Sequence, residues 1–352
     1  MAEHRVAVIG SGNWGSVAAK LIASNTITMP SFHDEVRMWV HEETLPDGSK
    51  LTDTINAKNE NVRYLPGIKL GGDVIADPDL EHAVEGADML VFVVPHQFVE
   101  DVCGKLVGKI GSGVEAISLI KGMEVKTEGP SMISKYITKM LGTSCCVLMG
   151  ANIAQEIGMK RFSEATIGYN QDKKVARRWV ELFTTDYFIV SAVQDVEGVE
   201  LCGTLKNIVA LAAGFVDGLD MGSNTKSAIM RIGLREMIAF SKLMFPSVKD
   251  NTFFESCGVA DLITTCIGGR NRKIAEAYTR SNGTRSFSDL EEELLDGQKL
   301  QGVLTSNEVY DVLCHRKCKD QFPLFTKVHD ICTGELLPSS IVEYSKFTNF
   351  EN

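Results

Sequence analysis

The sequence predicts an α/β protein in which an N-terminal doubly wound parallel sheet, residues 1–193, precedes an all-α C-terminal domain, residues 194–352. Short runs that are apolar at nearly every position recur through the first part of the chain. Helix-like stretches separate them, which is the pattern of βαβ units whose sheet is covered on both faces. Past about Gln194 the apolar residues recur at the spacing of three and four that is typical of helices. A chain of 352 residues can build two such domains, each with its own core.

The expected strands begin with residues 5–9, which lead directly into a glycine-patterned turn and a helical stretch, residues 16–23. The later runs that we expect to be strands are residues 36–40, 89–94, 116–120, 146–149 and 188–190. The expected helices of the second domain are residues 196–219, 225–245 and 302–314.

The turn Gly10-Ser11-Gly12-Asn13-Trp14-Gly15 predicts dinucleotide binding. Gly10 permits the tight turn, Gly12 lets the backbone approach a pyrophosphate, and Gly15 lets the helix and the strand pack closely. Backbone N–H groups and the helix dipole then face the anion. A turn of purely structural importance is the alternative, but the strand before the motif and the helix after it favour the dinucleotide.

The charge and the apolar pattern exclude several partners. A formal net charge of −10 argues against nucleic acid, because binding its phosphate backbone needs a basic surface. No apolar run reaches the ~18 residues of a membrane span. The first strand begins so close to Met1 that it leaves no room for a signal or transit peptide, so we expect a cytoplasmic protein.

Nine cysteines are scattered from Cys103 to Cys332, and their odd number favours reduced thiols over a disulfide framework. Cys314 and Cys318 flank His315, but a third or fourth ligand at zinc spacing is missing. We therefore expect neither a structural disulfide nor a metal site.

Several candidate ligand-binding residues follow expected strands. In doubly wound sheets ligands bind beyond the carboxyl ends of the strands, where Gly10, Pro95, Lys121 and residues 150–152 fall. Lys121 is therefore a candidate substrate contact. A solvated lysine in a loop is the alternative.

Lys206 interrupts an apolar stripe on the first helix of the second domain. Its neighbours at spacings of three and four are Val199, Cys202, Val209 and Ala213. Burying an ammonium group without a partner is costly, so this lysine indicates a cleft, a partner or a shifted pKa. The alternatives are a lysine that snorkels to water and an Asn207 that caps a local backbone group.

Three further segments carry polar chemistry. Residues 268–273 combine a flexible turn, three cations and the expected start of a helix, so Arg270 and Asn271 can hold a phosphate, although a solvated basic turn is also possible. Asp261 lies among apolar residues and needs a partner, for which a lysine is suited. Residues 298–302 could close over a cofactor or simply cap a helix.

Together these motifs resemble the NAD-dependent glycerol-3-phosphate dehydrogenases of the eukaryotic cytosolic type, over nearly the full length. The resemblance implies a Rossmann-type domain joined to an all-α domain, as in 6-phosphogluconate-dehydrogenase-like folds. It implies NAD-dependent interconversion of sn-glycerol 3-phosphate and dihydroxyacetone phosphate, and it implies a homodimer. The motifs that carry it are residues 10–15, 94–98, 119–122, 149–154, 205–207, 258–262, 268–273 and 298–302.

The resemblance also implies residue roles. Lys206 matches the general base of alcohol oxidation, or the acid of ketone reduction. The polar residues that surround this base in the family correspond here to Lys121, Asn207, Asp261 and Thr265. The family's substrate contacts correspond to Lys121, Asn152, Arg270 and Asn271. The cofactor contacts match Gly10, Ser11, Gly12, Asn13, Trp14, Gly15, His41, Phe98, Ala154, Arg270, Lys299 and Gln301.

Glu42 and Glu43 follow the second strand and disfavour a 2′-phosphate, which favours NAD over NADP. The chain departs from the family pattern at His41, where an aromatic residue often flanks the adenine, and at Ser223, where an aspartate is usual. Residues 301–304 also lack the usual proline.

Two other functions stay open from sequence. The first is a related nicotinamide dehydrogenase acting on another small hydroxy acid or sugar acid, which would have no need of a phosphate grip at Arg270. The second is an NAD-sensing protein that acts through partners, which the intact Lys206 and Asp261 disfavour.

Overall fold

The structure, a computed structural model, describes residues 4–126, 129–170, 172–295 and 300–343. It divides into two compact units. The first unit is Met1–Met123 with Ser131–Glu200, and the second is Glu124–Pro130 with Leu201–Asn352. The boundary between residues 200 and 201 falls inside one long helix, seven residues beyond the boundary predicted after residue 193.

The first unit is built on an eight-stranded sheet. Two additional short strands, β6 and β7, form a separate two-stranded sheet, and their residues 124–126 and 129–130 belong to the second unit. In chain order the strands are β1 His4–Ile9, β2 Phe32–Trp39, β3 Val74–Asp77, β4 Met89–Phe92, β5 Glu115–Ser118, β6 Met123–Lys126, β7 Gly129–Met132, β8 Cys145–Met149, β9 Ser163–Gly168 and β10 Phe188–Val193.

Six strands in the order β3-β2-β1-β4-β5-β8 run parallel, which is the doubly wound arrangement expected from the sequence. The expected doubly wound parallel sheet is confirmed, with one antiparallel pairing toward an edge. Strand β9 runs antiparallel to β8, and β10 runs parallel to β9. Strand direction depends on the path of the connections, which apolar runs do not record.

Helices cover both faces of this sheet. One apolar core contains residues of α1 and α7, including Leu21 and Trp179, and the other contains residues of α4 and α5, including Leu106 and Ile137. The helices of this unit are α1 Asn13–Thr26, α2 Leu51–Lys58, α3 Leu80–Val84, α4 Val99–Leu106, α5 Ile133–Leu141, α6 Ala154–Gly158 and α7 Lys173–Phe183.

All regular elements described between residues 201 and 343 are helices. They are α8 Val196–Gly218, whose first turn belongs to the first unit, α9 Gly222–Met244, α10 Asp261–Gly268, α11 Arg270–Arg280, α12 Phe287–Leu295, α13 Gln301–His315 and α14 Pro323–Cys332, with short 3₁₀ and π turns between some of them.

Helix α8 forms the centre of the second unit. A Cβ on Gly214 would lie 2.3 Å from the Arg272 carbonyl oxygen, so α11 packs directly against the α8 backbone. Among the described residues α8 alone has the length and apolar character of a membrane-crossing helix. Its apolar window is entirely buried inside the structure, as in a core helix.

Candidate active site

The carboxyl ends of the parallel strands bring the predicted turn residues to one edge of the sheet. Gly10 follows β1, Pro95 follows β4, Lys121 follows β5 and Gly150 follows β8. This grouping follows from parallel topology and agrees with the sequence interpretation.

The glycine turn has the backbone geometry that its sequence requires. Gly10 adopts φ +120°, which favours glycine. A Cβ on Gly15 would lie 2.1 Å from the Gly10 carbonyl oxygen, so no side chain fits there. A Cβ on Gly12 would meet nothing within 4 Å, so its backbone borders open space.

Helix α1 begins directly after Gly12, with no acidic residue in its first turn. Its first N–H groups and its positive dipole end suit a pyrophosphate. Asn13 is exposed and its Oδ1 accepts from the Trp14 N–H at 2.7 Å. The open side of Gly12 and the uncapped helix start fit a dinucleotide phosphate group.

The end of β2 carries the acidic residues expected near an adenosine ribose. The Glu42 carboxylate accepts from the Thr52 N–H at 3.2 Å, and Glu43 accepts from the Tyr64 hydroxyl. Arg37 lies within β2 and donates to Glu35, so it is engaged in the strand and not at its end. His41 is exposed just beyond β2.

Other predicted contacts lie at the same edge. Phe98 ends a 3₁₀ turn and is 52% exposed. Ala154 begins α6, and Asn152 donates to the Glu164 carbonyl oxygen at 2.9 Å. Lys121 is half-buried. Lys299 lies outside the described residues.

The second unit contains a buried charged cluster around Lys206. This lysine is only 3% exposed, so the snorkelling alternative does not apply. Its Nζ donates to the Asp261 carboxylate, and it donates to Thr265 Oγ1 at 2.7 Å. Thr265 Oγ1 lies 3.3 Å from Asp261 Oδ1. The helical core therefore contains a buried ion pair, and the Thr265 hydroxyl is hydrogen-bonded to both of its members.

Local structure explains this cluster. A π-helical turn, Ser256–Ala260, precedes α10, and a Cβ on Gly258 would lie 2.2 Å from the Phe253 carbonyl oxygen. Asp261 then starts α10 in direct continuation of this turn. Thr265 follows one turn later on the same face.

A second polar chain joins α8, α11 and α13. Asn207 Oδ1 accepts from Asn271 Nδ2 at 3.0 Å, and Asn271 Oδ1 accepts from the Gly302 N–H at 3.0 Å. Asn207 Nδ2 also donates to the Thr204 carbonyl oxygen at 3.2 Å, so it does make the local backbone bond considered above. A Cβ on Gly302 would lie 2.7 Å from Asn271 Oδ1, a close approach that the sequence did not reveal.

Arg270 is the first residue of α11 and is solvent-exposed. Crowding nevertheless desolvates its guanidinium and lowers its pKa, although an arginine stays charged at neutral pH. Gln301 begins α13 and is half-buried. Ser223 is exposed near the start of α9.

No cluster of three or more histidine, cysteine or carboxylate side chains suited to a metal ion occurs in the parts of the chain that the structure describes. Cys314 is exposed and Cys318 is buried.

Hydride transfer to or from a small substrate requires a dinucleotide site and a group that exchanges a proton. The glycine turn of the first unit is suited to a dinucleotide, so the fold and this turn indicate the class of nicotinamide-dependent oxidoreductases. Profiles of the NAD-dependent glycerol-3-phosphate dehydrogenase N-terminus and C-terminus match residues 5–175 and 195–343. The chain belongs to the NAD-dependent glycerol-3-phosphate dehydrogenase family, uses NAD, and interconverts glycerol 3-phosphate and dihydroxyacetone phosphate.

Curated relatives cover nearly the whole chain. A glycerol-3-phosphate dehydrogenase [NAD(+)] of Cuphea lanceolata is 71% identical, over 98% of this chain and 92% of its own. A chloroplastic form of Arabidopsis thaliana is 69% identical, over 97% and 86%. A cytoplasmic form of Drosophila virilis is 51% identical, over 97% of both chains.

A solved structure of Plasmodium falciparum glycerol-3-phosphate dehydrogenase superposes with a TM-score of 0.94 at 40% identity, covering 100% of this chain and 97% of that one. The family expectation is thereby confirmed, and so is the fold. The narrower expectation of a cytosolic type is not established, because a chloroplastic relative is more similar than a cytoplasmic one.

Proposed function

We propose that Lys206 is the general acid of ketone reduction and the general base of alcohol oxidation. The observation that supports this role is its buried amine, which is hydrogen-bonded to Asp261 and Thr265. An apolar core holds such a group only where a partner compensates its charge.

When bound, NADH supplies the hydride that reduces C2 of dihydroxyacetone phosphate, and NAD accepts it in the reverse direction. As negative charge develops on the C2 oxygen, the Lys206 ammonium donates a proton to it and becomes a neutral amine. In oxidation the neutral amine removes the proton of the C2 hydroxyl. Asp261 and Thr265 fix the direction of Nζ through their hydrogen bonds, and Asp261 favours recovery of the ammonium form.

Arg270 and the start of α11 are suited to the substrate phosphate. The guanidinium can form two parallel hydrogen bonds to phosphate oxygens, and the helix start adds partial positive charge. In this proposal Asn271 and Asn207 keep α11 in place on α8 through their mutual hydrogen bond. Lys121 and Asn152, from the first unit, complete the proposed substrate contacts.

We also propose that residues 1–193 form the dinucleotide-binding domain and residues 194–352 the helical substrate and catalytic domain, with a few contacts to each ligand supplied by the other domain. The two matched family profiles, residues 5–175 and 195–343, support this division. The proposed cofactor contacts are Gly10, Ser11, Gly12, Asn13, Trp14, Gly15, His41, Phe98, Ala154, Arg270, Lys299 and Gln301.

We further propose a cytosolic homodimer. Nine free thiols suit a reducing compartment, and the Drosophila virilis relative is named cytoplasmic. A molar mass of twice 38.6 kDa by light scattering supports the dimer, whereas the single value contradicts it. Localisation of a C-terminally tagged chain to the cytosol supports the compartment, and localisation to a plastid contradicts it.

The test of the lysine role uses Lys206→Ala and Lys206→Arg. Both variants should lose turnover by about a hundredfold or more, because neither side chain can exchange a proton near neutral pH. NADH affinity should stay close to that of the parent. Lys327→Ala is the matched control, since its amine donates to the Ser340 and Glu343 carbonyl oxygens in the same unit. Parent-like turnover in Lys206→Ala would contradict the role.

A further inference from the structure

Asn61 is fully buried beside the glycine turn, 50 residues from it in sequence. Its Nδ2 donates to the Ser11 carbonyl oxygen at 2.7 Å and to Ser16 Oγ at 2.9 Å. Its Oδ1 accepts from the Tyr64 N–H at 3.1 Å. The Asn61 amide therefore donates one hydrogen bond to the glycine turn and one to the residue that follows it.

Ser16 acts on the same carbonyl group. Its hydroxyl donates to the Ser11 carbonyl oxygen at 3.2 Å, and its N–H donates to the Gly12 carbonyl oxygen at 2.9 Å. The Ser11 oxygen thus accepts two side-chain hydrogen bonds from buried groups. One peptide plane of the turn is held firmly from inside the protein.

Holding that plane has a consequence for Gly12. In a planar trans peptide the carbonyl oxygen of one residue and the N–H of the next point in opposite directions. Asn61 and Ser16 bind the Ser11 oxygen on the buried side, so the Gly12 N–H points away from them. The Cβ position of Gly12 borders open space, so a pyrophosphate can approach this backbone closely.

A glycine backbone does not fix this orientation by itself. Gly12 permits the approach of a phosphate because it has no Cβ, but it also leaves the adjoining peptide free to rotate. An anion site is strongest when its donors already point at the anion before binding.

We propose that Asn61 is a positioning residue for the cofactor: it orients the Ser11–Gly12 peptide so that the Gly12 N–H faces the pyrophosphate of NAD. It does so through the Ser11 carbonyl oxygen and Ser16, without touching the cofactor itself. The role concerns the binding of NAD and is independent of the proposed acid–base role of Lys206.

The experiment replaces Asn61 by alanine and measures the dissociation constant of NADH by fluorescence titration. It should rise about tenfold, because the peptide must be ordered on binding. ADP-ribose, which carries the pyrophosphate without nicotinamide, should lose affinity by the same factor. In steady-state assays KM for NADH rises, whereas kcat at saturating NADH and KM for dihydroxyacetone phosphate stay near the parent values.

Asn56→Ala is the matched control. Asn56 also donates to a backbone carbonyl oxygen and accepts from a backbone N–H, both of Ala76, at 2.9 and 2.8 Å. Its loss should lower thermal stability without changing NADH affinity. If Asn61→Ala does not fold, Ser16→Ala removes one bond to the same carbonyl group and should weaken NADH binding in the same direction.

Unchanged NADH affinity in the folded Asn61→Ala protein would overturn the proposal. An equal loss of affinity in Asn56→Ala would also overturn it, since the effect would then reflect general destabilisation. If only Ser16→Ala folds, parent-like NADH affinity in that variant overturns the proposal as well.

Discussion

At Gly12 and Gly15 the same residue type serves two different physical needs. Gly15 is required by packing, because a Cβ there would overlap the Gly10 carbonyl oxygen, 2.1 Å away. Gly12 is not required by packing within the chain, because its Cβ position is open. In the proposed function, a glycine is needed there because the pyrophosphate of the cofactor approaches the backbone.

Gly12→Ala should therefore fold with thermal stability close to that of the parent but bind NADH about tenfold or more weakly, since its methyl group occupies the approach of the pyrophosphate. Thermal unfolding without cofactor and NADH titration separate the two effects. Gly15→Ala is the contrasting variant and should lose stability even without NADH. Parent-like NADH affinity in Gly12→Ala would contradict this assignment of the turn.

Arg270 should contribute mainly to phosphate recognition. Arg270→Ala should raise KM for dihydroxyacetone phosphate by about ten- to a hundredfold, the effect of losing a charged hydrogen-bonding group. Steady-state kinetics together with NADH titration measure this. Arg280→Ala, at the other end of α11 and bonded to Asp220 and Glu276, is the control.

A loss of NADH affinity in Arg270→Ala as large as the rise in KM for dihydroxyacetone phosphate would contradict a role mainly in phosphate recognition. Equal turnover of dihydroxyacetone and its phosphate ester by the parent enzyme would contradict a phosphate grip altogether.

Residue patterns predicted some contacts and missed others for identifiable reasons. Lys206 stood out because a charge on an apolar helix stripe needs a partner, and Asp261 stood out because it lies among apolar residues. Asn61 gave no such signal, because an asparagine in a polar segment is ordinary and its partners at Ser11 and Ser16 are distant in sequence. Gly302 belongs to a motif named from sequence, but only packing shows why a side chain is excluded there.

At the scale of elements, α5 and the first turn of α8 are joined by a buried carboxylate. Glu200 accepts from the Ser134 N–H at 3.2 Å and from the Ser134 hydroxyl at 2.5 Å. Burial raises the pKa of Glu200 to about 7, although the hydrogen bonds from Ser134 lower it and nearby Glu197 raises it further. The carboxyl group is thus protonated in the folded protein at a pH where an unfolded glutamate is ionised.

This shift makes stability fall as pH rises. Below the ordinary pKa of 4.5 both states hold the proton and the group adds no pH dependence. Between about 4.5 and about 7 the unfolded state loses its proton first, so the free energy of unfolding decreases by about 3 kcal/mol across that window.

Glu200→Gln should remove this contribution, because an amide keeps the shape and can bond to Ser134 at any pH. Urea unfolding of parent and variant across the window should show the parent losing stability relative to the variant. Glu100→Gln, at an exposed position on α4, is the control. Parallel curves for the parent and Glu200→Gln would contradict the shifted pKa.

Elements with a strong apolar run were predicted, whereas weak ones were not. Strands β4, β5 and β8 are buried on both faces, so their runs are nearly continuous. Strand β3 has only four residues and an exposed Ile75, and β9 begins with the polar pair Ser163 and Glu164. Neither sequence differs enough from a loop for its pattern alone to predict a strand.

At the scale of the whole molecule, the chain is acidic although its ligands are anions. The formal net charge is −10, and the proposed site residues include the cations Lys121, Lys206 and Arg270. General attraction between protein and ligand cannot account for binding of a phosphorylated substrate and a dinucleotide. In the proposed function local groups supply it, namely the start of α1 and the guanidinium at the start of α11.

The most direct test of the account is NADH oxidation on addition of dihydroxyacetone phosphate, followed as loss of NADH absorbance. NADPH and unphosphorylated dihydroxyacetone are the controls. We expect rapid loss with NADH and the phosphate ester together, and little loss when either control replaces its counterpart. Absence of turnover while NADH still binds would contradict the assigned reaction. Equal rates with the unphosphorylated ketone would contradict recognition of the substrate phosphate.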